Sequence, residues 1–593
     1  MCGINGFNFK DEKLIGLMNK TIFHRGPDDS GFQLFDNLSL GHLRLSILDL
    51  SDKGHQPMSF NDLTITYNGE IYNFEKIREE LIDNGYKFDS ECDTEVILKA
   101  YDLWGEDCVK RFNGMWAFCI FDKKSNTLFL SRDRFGKKPL YYYLADGKFI
   151  FSSEIKSILN YDFKKQINKQ SFNEIFSYRF TYSDNTIFEN IFNFKPAHNM
   201  VFDLSKNEIE SYEKYYSIKI GILNKNFKQI KSELFDKLDN AVKSRMVSDV
   251  PVATFLSGGI DSSIVTYFAK KYNENLNTFS VGFDTTNELS HAKVVADALK
   301  TNHHEFIINK DNVLDYLEEM IYHMDEPIGA DPGFLPIFVL SKETKKYNTV
   351  VLTGDGADEV FTGYDRYKLL HYGTFLKYFS FFKSKNQIVH RLNMMRGKSI
   401  LDAFFEVTRV FEKSELKKLN LKDLKPSFEK YEKLDTNNLN KIQLFDIDNL
   451  LLKDFFMKSD KMSSAFGLEQ RTPFMDKQIV EYGLSIPIKY RLFGWNEKYI
   501  LKRLAKDILP KSIWKRRKHG FNVPIDYWFE NILGDKLKEL LSHSNHGLYN
   551  KSYVLSLLSD LKYNSSSFKS RNVIAQKLWT VLVFEMWYKK YVN

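Results

Sequence analysis

Short alternating runs of apolar and polar residues dominate the chain up to about residue 210. Examples are LTITYNGEIYNF at 63–74, GMWAFCIFD at 114–122 and TLFLSRDRFGKKPLYYYL at 127–144. Glycine, or asparagine with aspartate, punctuates these runs, which is typical of strands joined by tight turns. We therefore predict that the first part of the chain is rich in β-structure.

A different pattern begins near residue 230. The apolar residues of IKSELFDKLDNAVKSRM at 230–246 recur at helical spacing. Farther along, the β-branched runs PVATFL, TFSVGF and TVVLT alternate with helical segments, which predicts a parallel sheet covered on both faces. After residue 364 the spacing predicts mainly helices. A polar, Lys-rich segment separates the two patterns, so we divide the chain into domains 2–210 and 229–593 with a linker at 211–228.

Composition narrows the class of protein. With 593 residues, 43% of them hydrophobic, the chain is long enough for two or more domains with large cores. No apolar run approaches the roughly 18 residues of a membrane span, and no basic-then-apolar leader begins the chain, so we expect a cytoplasmic protein without a membrane partner. The net charge of +7, from 84 basic and 77 acidic residues, is weak evidence for a nucleic-acid partner.

The four cysteines all lie in the first part of the chain, at positions 2, 92, 108 and 119. They form no C-x-x-C pair and have no histidine at metal spacing, which argues against a disulfide framework and a zinc site. Cys2 directly follows Met1, so loss of one methionine makes the thiol residue the amino terminus. Three interpretations stay open at this point: a chance cysteine, a buried structural cysteine, or a nucleophile that uses its own α-amine as base.

A glycine-rich turn, SGGIDSS at 257–263, follows the run PVATFL and precedes a predicted helix. Two glycines let backbone N–H groups approach an anion, and the helix dipole adds to the attraction. The lysine of a Walker A loop is missing. Serine hydroxyls would donate in its place, and Asp261 could hold Mg²⁺. The alternative interpretation is an ordinary strand-to-helix turn.

A second glycine-rich turn, GDGADE at 354–359, follows the apolar run TVVLT. Asp355, Asp358 and Glu359 lie so close together that burying them requires a cation or an acid–base task. Ligands of open parallel sheets bind at the carboxyl ends of the strands. This position favours a functional site over a solvated acidic loop.

These two motifs resemble the pyrophosphate loop and its companion motif in ATP pyrophosphatases, which adenylate a carboxylate or an amide. The segments DKMSSAFGLEQRTPFMD (460–476), EKYILKR (497–503) and RRKHGFNVP (516–524) resemble the remaining blocks of the asparagine synthetase domain. Blocks in the first part resemble the class II, N-terminal-nucleophile glutamine amidotransferase domain of glutamine-hydrolysing asparagine synthetases. With Cys2, these blocks are HRGPDDSG (24–31), GHLRLSILDL (41–50), YNGEIYNF (67–74), DTEVIL (93–98), GMWAFCIFD (114–122) and RDRFGKKPLYYY (132–143).

The resemblance implies a fold for each domain. For the first domain it implies an α+β N-terminal-nucleophile sandwich with αββα layers. For the second it implies an α/β ATP-pyrophosphatase domain with a parallel sheet and a helical C-terminal part. It further implies ATP as a co-substrate, Mg²⁺ as a cofactor and small-molecule partners only, with a homodimer left open.

For glutamine hydrolysis, the resemblance implies that Cys2 is the nucleophile and that its own α-amine is the general base once Met1 is removed. The tetrahedral oxyanion needs fixed donors, and the family assigns them to the Asn68 side chain and the Gly69 backbone N–H. Losing one such donor typically costs about 3 kcal/mol of transition-state stabilisation.

The zwitterionic end of glutamine needs a cation and carboxylates. Arg44 can bind the α-carboxylate bidentately, and Glu70 and Asp93 can bind the ammonium. The full set implied for glutamine binding is Arg44, Leu45, Ile47, Asn68, Glu70 and Asp93.

For the synthetase reaction, Asp261 and Asp358 are the implied Mg²⁺ ligands. Asp355 stands where the family has an acidic residue that deprotonates the attacking ammonia; some members carry Glu there. Lys518 would neutralise phosphate charge in the transition state. The implied ATP contacts are Leu256, Ser257, Gly258, Gly259, Asp261, Ser262, Val281, Thr353 and Gly354.

The expected reaction is glutamine hydrolysis at Cys2, internal passage of ammonia, and amidation of L-aspartate through β-aspartyl-AMP with release of AMP and pyrophosphate. The alternative is the same mechanism on another carboxylate, such as a uronic acid. A β-lactam-forming relative would not need the glutamine pocket. A storage or nucleic-acid-binding protein would need neither site.

Overall fold

The computed structural model describes residues 1–284, 289–376, 399–516, 523–564 and 568–592. Within these ranges the strands are β1 Gly3–Phe7, β2 Asp29–Phe35, β3 Leu38–Arg44, β4 Met58–Phe60, β5 Leu63–Ile71, β6 Gly114–Asp122, β7 Thr127–Arg132, β8 Tyr141–Ala145, β9 Lys148–Ser152, β10 Ile191–Asn193, β11 His198–Asp203, β12 Glu208–Lys214, β13 Val252–Phe255, β14 Asn277–Phe283, β15 Asn302–Ile308, β16 Val350–Leu352 and β17 Glu469–Arg471. They form two antiparallel sheets, ordered β10-β8-β9-β1-β3-β2 and β12-β11-β7-β6-β5-β4, and one parallel sheet, ordered β15-β14-β13-β16-β17.

The two antiparallel sheets pack face to face. Ile4 and Leu40 from the first sheet share a buried layer with Cys119 and Leu130 from the second, because alternate residues of each strand point to the same face. The outer faces are covered by helices: Glu12–Thr21 and Ile155–Ile158 on the first sheet, Phe74–Asp83 and Asp93–Trp104 on the second. The layers are therefore αββα, which confirms the fold predicted for the first domain.

The parallel sheet has helices on both faces, as predicted. Helices Phe227–Arg245 and Ile260–Tyr272 cover one face, and helices Val313–Met324 and Phe334–Thr344 cover the other. The first of these begins after Asn226, which forms a capping box with Gln229. The strand order reverses between β13 and β16, and the crevice at such a reversal is where open parallel sheets bind ligands.

Helices dominate the described chain after residue 364, again as predicted. The helices not yet given are Lys169–Tyr178, Leu289–Leu299, Ala357–Phe361, Asp365–Leu376, Ile400–Thr408, Lys413–Lys418, Glu429–Glu432, Asn438–Asp446, Phe456–Ser464, Lys477–Ser485, Ile488–Arg491, Tyr499–Ile508, Lys511–Trp514, Ile525–Trp528, Gly534–His543, Lys551–Ser559 and Phe568–Tyr591. Shorter 3₁₀ or π segments are Phe23–Arg25, Asp52–Gly54, Gly105–Lys110, Lys310–Asn312, Ile447–Phe455, Pro473–Met475, Phe529–Leu533 and Asp560–Asn564. None of the described helices is both long and apolar enough to span a bilayer.

The two domains share a buried interface. Phe172 and Phe176 of the first domain pack against Phe584 near the end of the chain. Arg25, fully buried, forms an ion pair with Asp460 at 2.9 Å. Strand β12 ends at Lys214 and the next helix begins at Phe227. The first domain also contacts β17, an edge strand of the parallel sheet, through the ion pair of Lys138 with Glu469.

Candidate active sites

Cys2 lies directly before β1, which runs between β9 and β3 in the first sheet. Its Sγ is 4.0 Å from the carbonyl oxygen of Leu45, and Arg25 Nε donates to the Cys2 carbonyl oxygen at 3.0 Å. Burial raises the pKa of the Cys2 thiol, and the nearby amino terminus opposes the shift. Burial also lowers the pKa of the Met1 α-amine to about 5, so this amine is neutral at pH 7.

A cavity of about 30 Å³ adjoins Cys2. Most residues predicted for glutamine hydrolysis and binding line it, namely Cys2, Arg44, Leu45, Ile47, Gly69, Glu70 and Asp93. Asn68 is not part of this lining. Its side chain is fully buried, and neither Nδ2 nor Oδ1 has a hydrogen-bond partner among the described residues. The structure therefore brings most of the predicted pocket residues together. The buried side-chain amide of Asn68 has no hydrogen-bond partner among the described residues.

Arg44 is fixed by the loop that follows β3. Its Nη1 donates to the carbonyl oxygen of Ser51 at 2.7 Å, and its Nη2 donates to those of Leu48, at 3.5 Å, and Asp49. A Cβ at Gly54 would come within 2.0 Å of Nη2, so the guanidinium requires a glycine there. All three acceptors are neutral carbonyls. They therefore hold the guanidinium without cancelling its charge, which is what binding a substrate carboxylate requires.

The carboxylates of Asp93 and Glu70 face the same cavity from buried positions. Asp93 Oδ2 accepts hydrogen bonds from Tyr67 Oη and from the Ile71 amide, both at 2.8 Å. Burial raises the pKa of Asp93 to about 6. Burial also raises the pKa of Glu70, although Arg471, whose Nη2 is 3.5 Å from Glu70 Oε1, opposes the shift. A bound ammonium would stabilise both carboxylates in their charged form.

Glu469, Lys138 and Arg471 also belong to this site, although the sequence motifs gave them no role. Glu469 lines the Cys2 cavity and bonds Lys138 Nζ at 3.2 Å and Arg471 Nε at 2.8 Å. Burial opposes ionisation of Glu469, but these two cations lower its pKa to about 2. Glu469 and Arg471 belong to β17 of the second domain, and no local pattern indicates that they meet residues from the first.

The predicted ATP loops meet at the carboxyl ends of β13 and β16, which are parallel neighbours. A cavity of about 230 Å³ lies between them. The predicted residues that line it are Leu256, Ser257, Gly259, Asp261, Ser262, Val281, Thr353 and Gly354. Gly258 lines an adjoining cavity of about 540 Å³. All the residues predicted for ATP binding therefore lie in one continuous region.

Close packing explains two of the glycines in these loops. Gly258 has φ +70°, and a Cβ there would approach the His291 carbonyl carbon to 2.5 Å. A Cβ at Gly354 would approach the Ser262 amide nitrogen to 2.8 Å. The Ser257 and Ser262 hydroxyls are 3.1 Å apart at the start of the helix. Gly354 therefore lets the second loop pack against the first, and Gly258 lets the first loop pack against the helix Leu289–Leu299.

Asp261 and Asp358 converge on one cation, Lys498, whose Nζ is 2.5 Å from Asp261 Oδ2 and 2.7 Å from Asp358 Oδ1. Despite burial, the two carboxylates raise the pKa of Lys498. Carboxylates that share one ammonium can also share a divalent cation, so these donors fit Mg²⁺. Burial and the charge of Asp358 raise the pKa of the adjacent Glu359 to about 7. Lys498 lies in the segment EKYILKR (497–503), whose resemblance to the family implied no role for this lysine.

Asp355 is oriented by two hydroxyls. Thr353 Oγ1 donates to its Oδ2 at 2.9 Å, and Ser459 Oγ donates to the same oxygen at 2.8 Å. Asp355 lines both the 230 Å³ and the 540 Å³ cavities, so it stands between the ATP loops and the adjoining space. Lys518 lies outside the described residues.

The fold defines an N-terminal-nucleophile sandwich joined to an ATP-pyrophosphatase-type domain, and comparison with known families agrees. Residues 233–589 match the family described as asparagine synthase, and residues 1–216 match the glutamine amidotransferase domain. This chain therefore belongs to the asparagine synthase family, whose members are ATP-dependent carbon–nitrogen ligases.

Among curated relatives, glutamine-hydrolyzing asparagine synthetase 1 of Bacillus subtilis is 34% identical, covering 99% of this chain and 96% of the relative. Glutamine-hydrolyzing asparagine synthetase 3 of the same organism is 32% identical, covering 96% and 94%. A solved structure, the glutamine phosphoribosylpyrophosphate amidotransferase from B. subtilis complexed with ADP and GMP, is 14% identical with a TM-score of 0.29, covering 47% of this chain and 65% of that chain. That last similarity is too weak to carry any argument.

Proposed function

We propose that this enzyme uses glutamine and ATP to convert L-aspartate to asparagine through β-aspartyl-AMP, with glutamate, AMP and pyrophosphate as the other products. The position of β17 is the observation that supports this most. Glu469 lines the Cys2 cavity, and its neighbour Gln470 lines the ATP cavity. Because adjacent residues of a strand point to opposite faces, one short strand contributes to two sites that a coupled reaction must connect.

In the proposed first half-reaction, removal of Met1 exposes the α-amine of Cys2. This amine takes the thiol proton, and the thiolate attacks the amide carbon of glutamine. The unpartnered Asn68 side chain and the Gly69 N–H stabilise the oxyanion. Collapse of the tetrahedral intermediate, with proton return from the amine, releases ammonia. Water then hydrolyses the thioester to glutamate.

Arg44 would bind the α-carboxylate of this glutamine, and Glu70 and Asp93 its ammonium. Support comes from the cavity, which these three side chains line together with Cys2. The uncancelled charge of Arg44 and the raised pKa of Asp93 are both matched by a zwitterionic ligand.

We propose that ammonia then passes inside the protein towards Asp355. A small cavity lined by Lys138, Ser459 and Gln470, among others, lies between the two sites, and Ser459 contacts Asp355 directly. Ammonia released to water at neutral pH would become ammonium, which has no lone pair for attack. An enclosed route also protects the acyl-adenylate from hydrolysis.

In the proposed second half-reaction, the backbone amides and hydroxyls of 257–263 bind the phosphates of ATP as the aspartate β-carboxylate attacks the α-phosphorus. Asp261 and Asp358 would hold Mg²⁺, which neutralises phosphate charge as pyrophosphate departs. Asp355 takes a proton from the attacking ammonia, and Lys518 stabilises phosphate charge. The division into 2–210, 211–228 and 229–593, the homodimer and the cytoplasmic location remain predictions.

The test separates the two nitrogen sources. Cys2→Ala should abolish glutamine-dependent asparagine synthesis and leave synthesis from added ammonia intact, because only the first half-reaction uses the thiol. Cys108→Ala, which removes a fully buried thiol from the core of the same domain, is the matched control and should keep both activities. Undiminished glutamine-dependent synthesis in Cys2→Ala would contradict the proposal.

A further inference from the structure

Arg471 reaches the glutamine pocket of the first domain from a strand of the second. It ends β17, where it pairs with Leu352 of β16, and its carbonyl oxygen accepts a hydrogen bond from the Thr353 amide at 2.9 Å. Its side chain is fully buried, and its Nη2 lies 3.5 Å from Oε1 of Glu70, which lines the Cys2 cavity. The second domain therefore contributes a charge to a pocket whose predicted residues all lie in the first.

Three hydrogen bonds fix the Arg471 guanidinium. Its Nη1 donates to the carbonyl oxygens of Arg245 and Val247, at 2.8 and 2.6 Å, and its Nε donates to Glu469 Oε1 at 2.8 Å. Its Nη2 is buried and has no hydrogen-bond partner among the described residues. The contact with Glu70 is therefore electrostatic, and it leaves the oxygens of that carboxylate able to accept hydrogen bonds from a substrate ammonium.

The charges around Glu70 match one substrate ammonium only when Arg471 is counted. Two carboxylates, Glu469 and Asp93, and two cations, Arg471 and Lys138, act on the Glu70 carboxyl. With Glu70 itself, these groups carry two positive and three negative charges when all are ionised, and one ammonium cancels the difference. Without Arg471 the negative excess would double. A buried excess of negative charge is relieved when one carboxylate binds a proton.

No other described group can take the place of Arg471 beside Glu70. Burial raises the pKa of Glu70, and the charge of Arg471 is the largest influence that opposes the rise. Lys138, the remaining cation, is held by Glu469 at 3.2 Å. The other titratable groups that Glu70 affects are the Cys2 thiol and the phenols of Tyr67 and Tyr72. Burial raises the pKa of all three, so none of them supplies a positive charge.

We propose that Arg471 is a positioning residue for glutamine: from the second domain, its guanidinium supplies the counter-charge that lets Glu70 bind the α-ammonium. Arg471 acts through Glu70 and not on the substrate itself. This inference rests on the proposed function and deepens it, because it makes the glutamine pocket depend on a residue of the synthetase domain. Without the guanidinium, Glu70 should bind a proton in place of the ammonium, and glutamine binding should weaken most at low pH.

The experiment measures glutaminase kcat and KM against pH for the wild-type protein, Arg471→Met and Arg471→Lys, each lacking Met1. In Arg471→Met, the fall of kcat/KM towards low pH (the acidic limb) should move to higher pH by about one unit or more. At pH values below the limb, this shift lowers kcat/KM about tenfold, through KM more than through kcat. Arg471→Lys keeps a cation beside Glu70, so its acidic limb should stay close to the wild-type position.

The comparison of the two variants isolates the charge. Both remove the Nη1 group that donates to two backbone carbonyls, so they share much of the structural cost. Synthesis from added ammonia reports on the second domain and should stay within about twofold in both. The physical reason is that Thr353 donates to the backbone carbonyl of Arg471, which every variant keeps.

Arg245→Met is the matched control. It removes another fully buried arginine of the second domain, whose guanidinium also lies over the Tyr72 ring. Arg245 pairs with Asp476 at 2.9 Å and not with Glu70. This variant disturbs the same interface and should leave the acidic limb in place.

Glu70→Gln separates the two levels of the argument. If Glu70→Gln leaves KM for glutamine unchanged, the proposed glutamine pocket is wrong. If Glu70→Gln raises KM but Arg471→Met leaves KM and the acidic limb unchanged, the role of Arg471 is wrong and the proposed function stands. An equal shift of the limb in Arg471→Met and Arg471→Lys would be a structural effect and would also overturn the inference. Where Arg471→Met loses synthesis from ammonia, Arg471→Gln, which keeps a polar donor without the charge, replaces it in the comparison.

Discussion

Substituting Asn68 should lower the rate of glutamine hydrolysis but should change the stability of the fold very little. The residue lies on β5, its side chain is fully buried, and neither polar atom of the amide has a partner among the described residues. Removing one oxyanion donor lowers kcat by about 10²–10³-fold, which is about 2.7–4 kcal/mol. We therefore expect Asn68→Ala to lower glutaminase kcat by this factor and to leave synthesis from ammonia unchanged.

The same variant should cost little stability. Leaving a buried polar group unpaired costs about 1–3 kcal/mol, so deleting the Asn68 amide recovers that amount. Lost packing costs about 1 kcal/mol, the scale of other small truncations in a core. The two effects nearly cancel. For a domain of this size, where 1 kcal/mol shifts the melting temperature by about 2–4 °C, we expect a small change or a slight increase.

Asn5 on β1 supplies the matched control. It is equally buried, but its Nδ2 donates to Asn19 Oδ1 at 2.9 Å and its Oδ1 accepts from Ser157 Oγ at 2.8 Å. Asn5→Ala deprives Asn19 Oδ1 of this donor, whereas Ser157 Oγ keeps a 3.2 Å hydrogen bond to the Met18 carbonyl oxygen, so we expect a loss of about 1–3 kcal/mol. The assay combines thermal melting of both variants with glutaminase rates of protein lacking Met1. Equal destabilisation of the two variants, or glutaminase within about threefold of wild type in Asn68→Ala, would refute the reasoning.

Three further predictions use the charges of the two sites. Because burial raises the pKa of Asp93 to about 6, protonation below that pH removes a partner of the glutamine ammonium. The value of kcat/KM for glutamine should therefore fall about tenfold per pH unit below pH 6. Asp93→Asn should have a low kcat/KM that shows no such fall. Lys498→Met leaves Asp261 and Asp358 without their shared ammonium. Added Mg²⁺ should therefore raise the melting temperature of this variant more than that of the wild-type protein. An equal rise in both proteins would contradict a shared cation site. Asp355→Asn should keep aspartate-dependent pyrophosphate release but lose most amide formation, and equal losses of both would argue against its role as base.

Local sequence patterns predicted much of the architecture. The alternating runs before residue 210 became the strands of the sandwich, and SGGIDSS became the turn between β13 and the helix Ile260–Tyr272. Residues within such a motif are neighbours in the chain, so the backbone conformation that the motif encodes is sufficient to bring them together. The full set of predicted ATP contacts came instead from the resemblance to the family, because it joins residues of separate strands and loops that no single motif contains.

Long-range contacts were beyond these patterns. Lys138 and Glu469 form a buried pair across the domain interface, and Lys498 joins Asp261 and Asp358 from a separate block. Arg179, which follows the first-domain helix Lys169–Tyr178, lines the 540 Å³ cavity beside the ATP loops. No signal in the sequence alone links these residues. Each lies in a helix, strand or loop that its local pattern predicts whether or not its distant partner is present.

The sequence by itself determined the elements and the chemistry available in each loop, because these depend on residue type and on spacing over a few turns or strands. Its resemblance to a known family implied the class of each domain. Only the tertiary structure decided which side chains share a cavity. The register of β17 beside β16 directs Glu469 to the Cys2 cavity and Gln470 to the ATP cavity, and the interface brings Arg179 to Asp454. A shift of one residue in that register would exchange the two faces, and packing against the first domain, not any local preference, selects between them.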